Sequence, residues 1–285
     1  MKRIVTFGEI MLRLNPEGYL RFTQAGRFEA SFAGGEANVA VSLSNFGMNA
    51  SFVSKIPAHE IGQCAVNELR RFGVDTRYII RGGDRLGVYY IEKGASQRAS
   101  KVIYDRGNSA IALAKPEEFN WKEILVGADW FHFTGITPAL SGNAAQASRE
   151  ALKTARELGV MTSCDLNYRK KLWSKETAGR IMGELMPSVD ICIANEEDAA
   201  DVFGIHAADS NIGEGKLNQE GYVSVARQLT ERFGFKKVAV TLRSSISASD
   251  NNWSGMLYDG KEAWFAPNYT VRIVDRVGGG DSFGG

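Results

Sequence analysis

The chain ends in Asp275-Arg276-Val277-Gly278-Gly279-Gly280-Asp281-Ser282-Phe283-Gly284-Gly285, and this stretch decides the fold. Three consecutive glycines disfavour helix and strand, because each costs backbone entropy, so they indicate that backbone N–H groups approach a ligand closely. If a helix begins near Gly280, its free N–H groups form an anion site with Asp281 at its edge. An anion site beside a carboxylate suits phosphoryl transfer, in which the carboxylate accepts the proton of the attacking hydroxyl.

Two other interpretations of this stretch stay open. It could be a glycine-rich turn in which Asp281 is an ordinary helix cap. Residues 280–284 also match the G-x-S-x-G nucleophile elbow, with Ser282 as the nucleophile. In that fold the acid and the His follow the Ser, so the elbow interpretation requires a longer chain than this one.

Composition narrows the class of protein. The chain has 285 residues, of which 44% are hydrophobic and 24% charged, as in a globular protein with a large core. Its net charge of +1 gives no electrostatic basis for binding nucleic acid or an anionic membrane. The three cysteines have neither metal-ligand nor disulfide spacing, and we find no signal-peptide pattern and no membrane-length apolar run. We therefore expect a cytoplasmic protein without nucleic-acid or membrane partners.

Strands alternate with helices after residue 110, which indicates a parallel, doubly wound α/β sheet. The predicted strands are 3–8, 51–55, 129–134, 160–165, 189–194, 237–242, 253–258 and 262–266. The predicted helices are one that begins at Gly34-Gly35, then 60–72, 143–158, 174–186, 196–204 and 219–233.

Ligands of such sheets bind beyond the carboxyl ends of the strands, where this chain places polar clusters. These clusters are 165–169, 195–198, Thr241 and Asp281. Asn195 could simply cap a helix, and Arg169 could be a solvated surface charge.

Segments 10–33, 76–80, 87–93 and 100–106 read as strands with few helices nearby. Such a sheet needs something to cover it. A lid over a site, a dimer contact or packing on the main domain would each provide this.

Residues 275–283 resemble the D-x-x-G-A-G-D-x-F motif of the ribokinase-like (phosphofructokinase-B type) sugar kinases, with Gly279 in place of the usual Ala. Residues 34–38 are similar to the first glycine motif of that family. The resemblance implies that Asp281 is the catalytic base. It also implies that Gly278, Gly279 and Gly280 form the anion hole, and that Gly34, Gly35 and Asn38 contact the sugar.

Within that family, segments 165–173 and 241–251 resemble the 2-keto-3-deoxygluconate kinases. By position, the lid and strand-end residues that would hold the substrate are Tyr89, Tyr104, Arg106 and Arg169. Arg13 stands near where relatives for neutral sugars often have an Asp, and a base there would suit an acidic sugar.

For the nucleotide, the resemblance implies contacts from Asn195, Thr241, Arg243, Gly278 and Gly280. Glu197 and Asp198 match the motif that the family links to Mg²⁺ through water, with Asp198 in the place of a Glu. The glycines that most relatives have after Thr241 are missing. The implied cofactors are ATP and Mg²⁺, and a monovalent cation stays open.

We therefore expect one α/β kinase domain over 1–285, with lid segments at about 10–33 and 86–106 that pair in a homodimer or higher homo-oligomer. Further helices are expected beyond Gly285. The expected reaction is ATP-dependent phosphorylation of a terminal hydroxyl of a sugar acid, foremost 2-keto-3-deoxygluconate to its 6-phosphate. A kinase for fructose or another neutral sugar, a sugar-binding relative without catalysis and a Ser282 hydrolase are the alternatives.

Overall fold

The computed structural model describes residues 2–207, 219–275 and 277–285. Its strands are β1 (Arg3–Phe7), β2 (Met11–Pro16), β3 (Phe28–Ala33), β4 (Asn49–Ile56), β5 (Ile79–Arg81), β6 (Val88–Glu92), β7 (Lys101–Asp105), β8 (Trp130–Thr134), β9 (Met161–Asp165), β10 (Ile191–Ala194), β11 (Lys237–Ser245), β12 (Asp250–Tyr258), β13 (Ala263–Phe265) and β14 (Tyr269–Arg272). The α-helices are α1 (Gly35–Asn45), α2 (Glu60–Arg71), α3 (Trp121–Leu125), α4 (Ile136–Ala139), α5 (Gly142–Glu157), α6 (Lys175–Leu185), α7 (Glu196–Phe203), α8 (Gln219–Phe233) and α9 (Gly279–Gly284). No helix in these ranges is long and apolar enough to cross a membrane.

The main sheet follows the order β13-β12-β11-β10-β9-β8-β1-β4-β5, and β14 pairs with β12. All of its neighbours from β5 to β11 run parallel, whereas β12, β13 and β14 pair antiparallel. The carboxyl ends of the parallel strands therefore lie along one edge of the sheet, which is where ligands bind in this architecture.

Helices cover both faces of this sheet. Adjacent residues on β4 separate the two layers, since Phe52 packs with α1 and α2 whereas Val53 packs in the larger cluster with α5 and α6. The buried face of α5 is rich in alanine and lets the helix approach the strands closely. A serine N-cap starts this helix, with Ser141 Oγ accepting the N–H of Ala144 at 3.1 Å.

A second sheet of four strands, in the order β3-β2-β6-β7, stands beside the main sheet. We call it the lid sheet. Its strands fall within the segments 10–33 and 86–106. One of its faces carries Met11, Tyr89 and Ile91, a small buried cluster that is packed against Val277. The covering that this sheet requires is therefore provided at least partly by the end of the chain.

The predicted fold class is confirmed, but two local predictions were wrong and three elements were not predicted. The strand expected at 76–80 begins only at Ile79. Thr241 does not end its strand, because β11 continues to Ser245 as one arm of a hairpin with β12. The short helices α3 and α4 and the strand β14 were not predicted.

Candidate active site

A cleft of about 1250 Å³ lies at the carboxyl ends of the parallel strands, beneath the lid sheet. Most of the residues that the sequence nominated for a site line this cleft, although their individual roles stay predictions. These residues are Gly34, Gly35, Asn38, Tyr89, Tyr104, Arg106, Arg169, Asn195, Glu197, Asp198, Thr241, Arg243, Gly278, Gly279, Gly280 and Asp281.

The glycine motif forms the start of α9. Gly278 is the N-cap and has a φ of 83°, a left-handed conformation that glycine adopts without strain. Among the described residues, no acceptor is recorded for the N–H groups of Gly279, Gly280 and Asp281. These N–H groups are therefore available to an anion in the cleft.

Asp281 is held from the side by α1, because Asn38 Nδ2 donates to its Oδ2 at 2.6 Å. Burial raises the pKa of Asp281, while the Asn38 hydrogen bond and the charge of Arg169 act in the opposite direction. The positive end of the α9 dipole favours the ionised form of a carboxylate in its first turn. Burial therefore adds an opposing effect that the sequence alone did not reveal.

Two more carboxyl groups share this part of the cleft. Burial, followed by the charges of Asp198 and Asp281, raises the pKa of Asp165 to about 8. Burial also raises the pKa of Asp198 to about 6, against the charge of Arg169. Because Asp165 is largely protonated at neutral pH, it adds little negative charge to the cleft.

Arg169 and Arg106 differ in how their charges are compensated. Among the described residues, no carboxylate lies within 4.0 Å of the exposed Arg169 guanidinium. Arg106 Nη2, in contrast, lies 2.7 Å from Oε2 of the buried Glu9, an ion pair without a well-aligned hydrogen bond. Arg169 is therefore the better placed of the two to bind a ligand carboxylate.

Glu9 also accepts a 2.7 Å hydrogen bond from Ser109 Oγ. Burial raises its pKa, and the charge of Arg106 opposes the rise. Its backbone is equally confined, since a Cβ on Gly34 would lie 1.8 Å from the Glu9 carbonyl oxygen. The first glycine of the Gly34-Gly35 pair is thus required by this close approach of two backbone segments.

Glu36, in the first turn of α1, ties that helix to the neighbouring strand. Its Oε1 accepts hydrogen bonds from the N–H and hydroxyl of Thr134, at 3.0 and 2.7 Å, and from the Thr137 hydroxyl at 2.6 Å. Burial raises its pKa. By fixing α1, this buried carboxyl fixes the position of Asn38 and hence the contact with Asp281.

The Tyr89 hydroxyl is buried beside the cleft and has no hydrogen-bond partner among the described residues. Burial raises the pKa of Tyr89 to about 12, so the phenol stays protonated and can donate. A buried hydroxyl without a partner is costly, which indicates that a ligand supplies the acceptor.

The whole chain, residues 1–285, matches the model of the pfkB family of carbohydrate kinases. It is 36% identical to 2-dehydro-3-deoxygalactonokinase of Haloferax volcanii, over 99% of this chain and 82% of that protein. The chain belongs to the pfkB family of carbohydrate kinases.

A solved structure and a further relative are similar to this chain over nearly its whole length. The crystal structure of 2-dehydro-3-deoxygluconokinase from Thermotoga maritima superposes with a TM-score of 0.95 at 49% identity, over 99% of this chain and 84% of that one. Fructokinase-1 of Zea mays is 27% identical, over 99% of this chain and 80% of that protein. The family predicted from the two glycine motifs is confirmed.

In this pfkB family chain, Gly279 replaces an expected Ala for a reason that the structure reveals. A Cβ on Gly279 would lie 3.3 Å from Cζ2 of Trp253, which is tighter than an ordinary contact. No left-handed backbone is required at Gly279. Trp253 on β12, which lines the cleft, therefore leaves only a tight fit for a methyl group at position 279.

Asn195 is the N-cap of α7, which was one of its two interpretations from the sequence. Its Oδ1 accepts the Asp198 N–H at 2.7 Å. Asp198 Oδ1 in turn accepts the Tyr168 N–H at 3.1 Å. The described residues contain no cluster of three or more acidic, His or Cys side chains that could hold a metal. Mg²⁺ does not require such a cluster, because it usually binds one or two carboxylates together with waters and substrate phosphates.

Two predictions from the sequence find no place in the cleft. Arg13 is not among its lining residues, because its guanidinium pairs with Asp275 at 2.8 Å. The Ser282 hydroxyl donates to the Gly278 carbonyl at 2.9 Å, and no described residue that lines the cleft is a His. The nucleophile-elbow interpretation therefore lacks its base in the described part of the chain.

The lining residues that were not nominated from the sequence include Glu9, Glu36 and Trp253. A usable signal existed for two of them. Glu9 directly follows the first buried strand, and Glu36 is a charged residue beside the glycine pair. Trp253 offered no such signal, because its importance depends on contact with a residue far along the chain.

Proposed function

We propose that this protein is an ATP-dependent kinase that phosphorylates a terminal hydroxyl of a 2-keto-3-deoxy sugar acid. One observation carries the proposal: one cleft is lined by Asp281, by the start of α9 and by Arg169. Among the described residues, the first N–H groups of α9 have no acceptor and the Arg169 guanidinium has no carboxylate partner. A base, an anion site and a carboxylate-binding cation are the three groups that this reaction requires.

In the proposed reaction, Asp281 accepts the proton of the sugar hydroxyl, and the oxygen of that hydroxyl attacks the γ-phosphorus of ATP. The bond to the β-phosphate oxygen breaks, and ADP leaves. The N–H groups of α9 stabilise the negative charge on the transferring phosphoryl group. Asn38, which donates to Asp281, orients the carboxylate and favours its ionised form.

The substrate carboxylate binds Arg169 in this proposal. The Tyr89 hydroxyl donates to a substrate oxygen, which satisfies its buried O–H. Arg106 contributes less charge, because Glu9 already compensates it at 2.7 Å. Tyr104, whose ring lies 5.2 Å from the Arg106 guanidinium carbon, completes the sugar-facing wall beside Gly34 and Gly35.

The nucleotide occupies the side of the cleft formed by β11, α7 and α9, where Thr241, Arg243 and Asn195 line the wall. Mg²⁺, when bound with ATP, neutralises charge on its phosphates. Asp198 and Glu197 are the residues of this chain that would hold it, through water. Cytoplasmic location and assembly through the lid sheet also belong to this proposal.

The test is ATP consumption with a panel of acceptors. The relatives are named for two sugar acids, so 2-keto-3-deoxygluconate and 2-keto-3-deoxygalactonate are both offered, beside gluconate, ribose and fructose. We expect turnover with one or both keto-deoxy acids and little with the neutral sugars. Turnover with fructose alone would retain the kinase but reject the role of Arg169 as a carboxylate ligand.

An Asp281→Asn variant separates chemistry from binding. Asn is isosteric and can still contact Asn38, so substrate affinity measured by calorimetry should stay within about twofold, whereas kcat should fall at least about 100-fold. If the variant turned over at the parent rate, Asp281 would not be the base. No turnover by the parent with any acceptor would instead favour a sugar-binding role.

A further inference from the structure

The chain segment that leads into Asp281 is held by the lid sheet at two points. Arg13 on β2 places Nη2 2.8 Å from Asp275 Oδ2. Two residues later, Val277 packs against the lid cluster of Met11, Tyr89 and Ile91. Both contacts precede Gly278, so the lid touches the chain immediately before the turn that presents Asp281.

The Asp275 carboxylate joins the lid to that turn. One oxygen pairs with Arg13, and the other accepts the Val277 N–H at 3.0 Å. The Arg13 side chain is only 11% exposed, whereas that of Asp275 is 43% exposed. Arg13 is thus largely enclosed, and its charge is compensated by the carboxylate that shapes the turn.

The tip of the lid reaches the same segment by a second route. Ser96 lies between β6 and β7, and its carbonyl accepts the Ala248 N–H at 2.9 Å. Its own N–H donates to Ser249 Oγ at 3.0 Å. The Ser249 carbonyl then accepts the Ile273 N–H at 2.7 Å, two residues before Asp275. Two separate parts of the lid therefore converge on 273–277.

We propose that Arg13 is a positioning residue that couples the lid sheet to the catalytic turn. By holding Asp275, it sets the path of the backbone through Val277 and Gly278, and so the position of Asp281 relative to the substrate hydroxyl. Arg13 is not among the residues that line the cleft, so we assign it no contact with the substrate. This inference rests on the proposed kinase function.

The coupling predicts an effect on turnover rather than on affinity. A small displacement of a catalytic group is expensive for the chemical step, whereas Arg169, Thr241 and Arg243, the proposed ligand contacts outside the lid, keep their positions. We therefore expect Arg13→Met, which keeps the length of the side chain but removes its charge, to lower kcat about tenfold with KM changed less than about twofold. Arg13→Lys should recover part of kcat.

The matched control is Arg27→Met. Arg27 also belongs to the lid region and pairs with Glu17, but both side chains are exposed, and among the described residues neither has a hydrogen bond or ion pair to the segment 273–277. Its loss should leave kcat and KM unchanged. Asp275→Asn and the double variant with Arg13→Met complete a double-mutant cycle. In this cycle the second substitution should lower kcat little further once the first is present.

A second measurement does not depend on activity. Hydrogen exchange of the 277–281 amides in the ligand-free protein should be faster in Arg13→Met than in the parent and in Arg27→Met. Equal exchange in the three proteins, or additive effects on kcat in the cycle, would overturn the role of Arg13. If the parent had no kinase activity, the exchange result alone would still decide whether Arg13 holds the turn.

Discussion

Replacing Asp165 with Asn should change how the stability of the protein depends on pH. Burial, then the charges of Asp198 and Asp281, raise the pKa of Asp165 from 3.8 to about 8. Between those two values the folded protein keeps a proton that the unfolded chain has released. The stability contributed by Asp165 is therefore fully present below about pH 4 and is lost as pH rises to about 8. Asn cannot titrate, so the variant lacks this loss.

The magnitude follows from the part of the pKa shift that lies in an accessible pH range. Between pH 5 and the folded pKa of about 8 lie about 3 pH units. Over this interval the contribution of Asp165 to the free energy of unfolding can therefore fall by at most about 4 kcal/mol. Asp165 is partly exposed to the cleft, so we take half of this bound, about 2 kcal/mol. With an unfolding entropy near 0.6 kcal/mol per degree for a chain of this length, Tm shifts by about 3 °C.

The assay is thermal unfolding of parent and variant at intervals from pH 5 to 8.5. We expect the Tm of Asp165→Asn to rise relative to the parent as pH increases, whatever constant offset the substitution adds. The control is Asp190→Asn, at the residue just before β10 of the same sheet. Burial tends to raise the Asp190 pKa, but hydrogen bonds from Lys236 and Thr162 outweigh it and hold the pKa below 3.8. Its offset should therefore be constant over this range, and a constant offset for Asp165→Asn as well would refute the reasoning.

Three further substitutions test the cleft. Glu9→Gln leaves the charge of Arg106 buried and unpaired, so Tm should fall by about 5 °C, from a loss of about 3 kcal/mol, and an unchanged Tm would contradict the ion pair. Gly279→Ala should lower kcat severalfold in the parent but less in a Trp253→Phe background, as steady-state kinetics can establish, and equal losses in both would exclude steric conflict with the indole. Arg169→Ala should reduce kcat/KM for the sugar acid about 30-fold, which corresponds to the loss of one charge-assisted hydrogen bond. The effect on any neutral sugar that is turned over should be much smaller. Equal losses for both substrates would show that Arg169 does not bind the carboxylate.

The regular part of the fold could be predicted from the sequence because its signals are local. The helices α2, α5, α6 and α8 each carry an apolar face over at least three turns, and the buried strands between them are short apolar runs. The elements that were missed are too short for a periodic signal, as α4 with its four residues illustrates.

The site was predictable where glycine and polar motifs mark it, and unpredictable where long-range packing creates it. Arg106 was nominated correctly as a residue of the cleft, yet its compensation by Glu9 joins positions 97 residues apart, and no local pattern reports such a pair. Arg13 illustrates the same limit. Its place in the sequence indicated a sugar contact, but in the folded protein its guanidinium pairs with Asp275.

The pairing of Glu9 with Arg106 also bears on how this molecule could be recombined with its relatives. Glu9 lies just before the first strand of the lid sheet, and Arg106 just after the last one. One buried ion pair thus joins the two ends of the sequence that contains the lid sheet. A chimera that exchanges the lid between two such proteins should place its crossover points outside both residues. One crossover inside the pair and one outside it would take Glu9 and Arg106 from different parents, and a hybrid left with an unmatched buried charge would be expected to misfold.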